Sequence, residues 1–84
     1  MSRYFFHVKD GRIAVDHVGL VFDNDDEARS EAMRGASETL LDNDMNLWLG
    51  NDWVMTVANE EGYVLFNLHF SIEQPKRNTP VILQ

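Results

Sequence analysis

Residues 3–15 read Arg-Tyr-Phe-Phe-His-Val-Lys-Asp-Gly-Arg-Ile-Ala-Val, and the reading of this stretch decides the fold. Tyr4, Phe5, Phe6 and Val8 crowd aromatic and β-branched side chains into a few residues, the composition of a strand. Asp10-Gly11 is a hairpin signal, because tight hairpin turns need positive φ at their central residues. Ile13 and Val15 then fall two apart, on one face of a returning strand. A hairpin at this point commits the chain to a sheet.

Working outward, Gly19 interrupts the second strand, and Leu20-Val21-Phe22 continues it briefly. A helix is predicted over residues 23–44. Asp23 is its expected cap, with Asp26 three residues on in a loose capping box. Asp25, Asp26 and Glu27 fill the first turn, where the helix dipole favours negative charge. Ala28, Ala32, Gly35, Ala36 and Thr39 share one arc of the helix, extended by Met33 and Leu40. Gly35 in a helix interior costs about 1 kcal/mol relative to Ala, so close approach of helix to sheet is expected there. Arg29 lies in the apolar arc, with its stem expected to pack and its head to reach water.

Residues 46–52 connect to a strand over 53–58, whose side chains alternate with period two. Asn59-Glu60-Glu61-Gly62 is a second hairpin loop. The longest strand spans 63–72, with Val64, Phe66, Leu68, Phe70 and Ile72 on one face and Tyr63, Leu65, Asn67, His69 and Ser71 on the other. The order β-β-α-β-β predicts an α+β domain: a four-stranded mixed sheet with one amphipathic helix on one face. The first and last strands are the most apolar, which places them in the centre, parallel to each other. The resulting strand order is 2-1-4-3, a β-grasp-like arrangement; order 2-1-3-4 is the alternative, since periodicity does not fix pairing. Residues 1–73 are expected to form the single domain, and 74–84, punctuated by Pro75 and Pro80, a mobile tail.

At 84 residues and net charge −7, with no cysteine, the chain is too short for a multidomain enzyme and offers no disulfide scaffold or thiolate metal cluster. An apolar content of 44% argues against intrinsic disorder. All 14 acidic residues lie between Asp10 and Glu73, with only Arg12, Arg29 and Arg34 among them. A body this acidic repels phosphate backbones, so no nucleic-acid partner is expected. No segment approaches the length of a membrane span, and the first residues lack the apolar run and cleavage site of a signal peptide, so no membrane is expected and the expected compartment is the cytoplasm.

The opening Arg3-Tyr4-Phe5-Phe6-His7-Val8 with Asp10-Gly11 resembles a family of small, mostly alphaproteobacterial proteins classed as a domain of unknown function. Asp23 before the Ala-rich helix (Ala28-Arg29, Glu31-Ala32), then Trp48, Gly50, Asp52-Trp53 and Glu61-Gly62, match as well. The likeness runs over residues 3–71 and implies a short single-domain bacterial protein with no catalytic residues to carry over. The acidic cap Asn24-Asp25-Asp26-Glu27 within that span and residues 74–84 beyond it are less typical of the family and carry no family meaning.

Three constellations remain. His7 and His69 are expected on the sheet face away from the helix, with Asn67 beside them; two imidazoles on adjacent strands could bind a metal or do acid–base chemistry, the alternative, enzymatic reading. Asp42, Asp44 and Asn46 match the start of a calcium loop, but Leu47 and Trp53 stand where such a loop needs Gly and Glu, so no metal or cofactor is expected. Trp48 and Trp53 read as core. The acidic helix face, Glu27, Glu31 and Glu38, carries a further alternative, a binder of basic peptides. The leading expectation is a small non-enzymatic interaction domain, self-associating as a homodimer or meeting another protein partner. Its surface is the open sheet face or an edge strand, built on Phe5, His7, Leu65, Asn67 and His69, because one helix covers only one face of a sheet.

Overall fold

The computed structural model describes residues 1–42, 44–75 and 80–82. The elements are β1 (Ser2–Lys9), β2 (Ile13–Ala14), β3 (Leu20–Phe22), α1 (Asp25–Asp42), α2 (Asp44–Trp48), β4 (Trp53–Ala58) and β5 (Val64–Phe70). The α+β class, the two hairpins and the single main helix are those expected. The sheet has five strands in the order β2-β1-β4-β5, with β3 also paired to β1, and every pairing is antiparallel.

Of the two expected orders, 2-1-3-4 is therefore the one realised. The parallel contact between first and last strands is not formed, and the sheet is not mixed. The reason is legible in burial. β4, Trp-Val-Met-Thr-Val-Ala, has no charged residue and is buried or half-buried at every position, as suits a strand flanked by β1 and β5 on its two edges. β5 is longer, but its Val64, Asn67 and His69 are exposed, as suits an edge.

The core lies between β4, β1 and α1. Tyr4, Trp53, Met55 and Val57 meet Ala28, Ala32 and Ala36, which recur at helical spacing along one ridge. Small side chains bring the helix backbone close to bulky sheet residues, and the two largest fully buried side chains are Trp53 and Val57. The Trp53 ring meets Phe70 edge-on at 5.7 Å. Its indole N–H has no acceptor among the described residues, so Trp53 contributes apolar area rather than a hydrogen bond. Trp48, expected in the core, is exposed at the end of α2, as is Met33 on α1. α2 is only five residues long, and it spends its inward positions on Asn46 and Leu47.

The cap of α1 is Asn24 rather than Asp23. Asn24 Oδ1 accepts the Glu27 N–H at 3.0 Å, and the Glu27 carboxylate reaches back to the N–H of Asp23, the residue before the cap, at 2.8 Å, so the cap is shifted one residue from the expected one. The Arg29 head pairs in solvent with Asp26. Gly35 faces Met55, but a methyl group there would stand 3.9 Å from Met55 Cε, ordinary contact. Close approach therefore does not require glycine at this point. Gly35→Ala is expected to stabilise the protein by about 1 kcal/mol, read as a higher urea midpoint at unchanged m-value; a lower midpoint would mean the helix sits closer to the sheet than this.

No helix among the described residues is long and apolar enough to cross a membrane. Gln74, Pro75, Pro80, Val81 and Ile82 are outside regular structure and, where described, exposed; the rest of the expected mobile tail lies outside the described residues.

Candidate functional site

The two edges of the sheet are built differently. On one, β2 and β3 pair in series with β1: Val8 opposes Ala14, and Tyr4 opposes Leu20. Five residues, 15–19, thus face only Phe5, Phe6 and His7. Two extra residues bulge outward, and the ladder between β1 and its edge is broken.

Asp16 fills the break. Its carboxylate accepts the Phe6 N–H at 3.1 Å, the bond a neighbouring strand would have made, and also the Val18 and Gly19 N–H groups at 3.0 and 2.9 Å. The Asp16 N–H in turn donates to His7 Nδ1 at 3.0 Å. Partial burial pushes the Asp16 carboxyl up, but the Gly19, Phe6 and Val18 N–H groups and the nearby His7 outweigh it and hold the carboxyl below its ordinary value. Arg3 closes the loop from outside, donating to the Val18 carbonyl at 2.8 Å. This edge is short and interrupted by a bulge, two features that keep a strand from recruiting another, although its strand residues are themselves apolar.

The other edge is β5. Its seven residues, Val-Leu-Phe-Asn-Leu-His-Phe, contain no Lys, Arg, Asp, Glu or Pro. The pairing to β4 shifts by one residue between Val57 and Ala58, so Leu65 is a bulge and the ladder is regular from Phe66 to Phe70. Phe66, Leu68 and Phe70 lie on the helix side and are only half-buried, because α1 packs chiefly over β3 and β4. Asn67 and His69 point to the open side. The Thr56 hydroxyl donates to Asn67 Oδ1 at 2.6 Å, and His69 Nε2 lies 3.1 Å from Asp52 Oδ2.

These facts sort the residues expected to form a site. Asn67 and His69 are on the β5 edge. Phe5 and His7 are on β1 in the sheet interior, their rings stacked 6.4 Å apart, and both are half-buried. Leu65 was expected on the open face; the bulge instead turns it to pack against the core, since two successive residues of a bulged strand oppose one partner. His7 and His69 do not meet. They occupy strands on either side of β4, two strand spacings of about 4.8 Å apart, and are offset by one pleat. One ring turns to Asp16 and the other to Asp52, so they cannot share a metal, whose bonds to nitrogen are about 2 Å long. No group of three or more His, Asp or Glu among the described residues could hold a metal ion.

The acidic helix face is engaged within the molecule. Glu31 and Glu38 both pair with Arg34, the second at 2.7 Å, and these two carboxylates raise the Arg34 pKa further. Glu27 serves the helix cap. Elsewhere, the Tyr4 hydroxyl donates to Asp25 Oδ1 at 2.7 Å. That bond, burial, and the negative charge of Asp25 and Glu27 push the Tyr4 pKa up to about 12, so Tyr4 is a pin between β1 and α1 and not a proton donor near neutrality.

A family model described as Domain of unknown function (DUF6894) matches residues 3–71 of the chain. No curated protein and no solved structure matches it. With most of its length matched, the chain belongs to the DUF6894 family.

Proposed function

We propose that this DUF6894 chain is a non-enzymatic interaction module that self-associates by pairing its β5 edge with that of a second copy. The observation that carries the reading is the contrast between the two edges of one sheet. One is broken by a bulge, with the Asp16 carboxylate holding the Phe6 N–H; the other is a long strand free of Lys, Arg, Asp and Glu, with no strand on its outer side among the described residues. Strand addition at such an edge draws its affinity from main-chain hydrogen bonds and its specificity from alternate side chains.

The open face supports association less well. Its centre, Phe5, His7, Val54, Thr56 and Ala58, is already half-buried or buried, and polar groups interleave with the apolar ones.

Light scattering tests this. The wild type is expected to be a dimer at high micromolar concentration. Asn67→Lys/His69→Lys, which puts two ammonium groups on exposed edge positions, is expected to give a monomer with an unchanged circular dichroism spectrum. Phe5→Glu, on the open face with β4 between it and β5, is expected to remain dimeric. A monomeric wild type overturns the proposal, and so does a dimer lost with Phe5→Glu and kept in the double variant.

A further inference from the structure

Resting on that edge reading, we infer that the second copy pairs with β5 antiparallel in a single register, with Leu68 opposite Leu68 on a twofold axis normal to the sheet. A twofold dimer presents the same patch twice, so any residue pair must occur in both directions. Directly opposite residues of antiparallel strands point to the same face. Helix-side residues must therefore meet helix-side residues, and allowed registers differ by steps of two. The regular part of β5 runs from Phe66 to Phe70, and its midpoint is Leu68.

In this register Phe66 faces Phe70 of the second copy and Leu68 faces its twin. The three half-buried apolar side chains of each copy thus join in one strip beside the two helices. Moving the axis to Asn67 sets His69, on the open side, against Leu65, which the bulge has turned toward the core.

The polar side is complementary as well. Asn67 lies opposite His69 of the second copy, twice. Asn67 Oδ1 is occupied by the Thr56 hydroxyl, so its amide NH₂ is left to donate. His69 Nε2 lies 3.1 Å from Asp52 Oδ2, and the neutral tautomer that donates from Nε2 to this carboxylate leaves Nδ1 to accept. The pair is a donor facing an acceptor, and no side chain of the natural edge has to be rebuilt to make it.

The chain has no cysteine, so introduced thiols report without background. Asn67→Cys and His69→Cys alter exposed side chains only. Directly opposite residues have Cα atoms about 4.5–5.5 Å apart, within disulfide reach, whereas a pair offset by two residues is beyond about 7 Å. Under mild oxidation, an equal mixture of the two variants is expected to give a covalent heterodimer, separable when one carries a mass tag. Each variant alone is expected to stay uncross-linked. Cross-linking of Asn67→Cys alone overturns the register in favour of an axis at Asn67. An uncross-linked mixture from a dimeric wild type overturns it too, while leaving self-association standing. A monomeric wild type removes both.

Discussion

Gly19→Ala is expected to cost on the order of 3 kcal/mol, enough to lower the melting temperature by more than about 10 °C. Two separate causes add. Gly19 sits at φ +74°, where an L side chain is strained, and a Cβ there would lie 2.7 Å from the Tyr4 carbonyl oxygen, with Arg3 Cγ and the Phe5 ring also close. The Tyr4 carbonyl belongs to β1 and cannot swing aside as the end of a flexible side chain can. Gly62 separates the causes. It has φ +87° but nothing within 4 Å of a Cβ, so Gly62→Ala carries the backbone strain alone, about 1 kcal/mol. Thermal melts of the two variants should differ clearly. Equal losses would mean that Gly19 does not touch β1 and that the sealed edge is not packed as described.

Asp16→Ala is the second large effect, about 2–3 kcal/mol, because it strips the acceptor from three backbone N–H groups, one of them the part-buried Phe6 N–H. Asp16→Asn keeps the shape but turns an NH₂ toward a site that held an acceptor, so it should lose part of the same amount. The charge also sets a pH dependence. The folded-state pKa of Asp16 is lowered, so its contribution is fully present above its unfolded value of 3.8 and is lost as pH falls through the folded one. Urea midpoints of the wild type should drop from about pH 4 downward, and this acid limb should flatten in Asp16→Asn. Parallel acid limbs would show that the three amides do not favour the ionised form.

Much of this architecture could be read from residues alone, and the misses have physical causes. The hairpins followed from Asp10-Gly11 and Asn59 to Gly62, and the helix from its alanine ridge. Periodicity leaves the orders 2-1-4-3 and 2-1-3-4 both open; the apolar length of the last strand favours the first, and the uncharged run from Trp53 to Ala58 carries the signal for the second, which is the one realised. The inward turn of Leu65 is not legible because Val64-Leu65-Phe66 is apolar throughout, and a slip of one residue leaves no trace in its hydropathy. The bonds of Asp16 to Val18 and Gly19 are a local turn that Asp-x-x-Gly suggests, but its bond to Phe6 joins residues ten apart and depends on the bulge, which the sequence does not mark. Composition alone puts His7 and His69 on one face, but not on adjacent strands, and β4 lies between them. The face of Asn67 and His69 is legible from periodicity; that they stand on an edge is not, because it depends on the strand order.

Residue-resolved hydrogen exchange at low and high protein concentration tests the central claim most directly. The Phe6 N–H, held by Asp16, should exchange slowly at both concentrations. Those amides of β5 that point away from β4 should be fast in dilute solution and become protected as concentration rises. Outward β5 amides that exchange equally fast at every concentration would contradict the account.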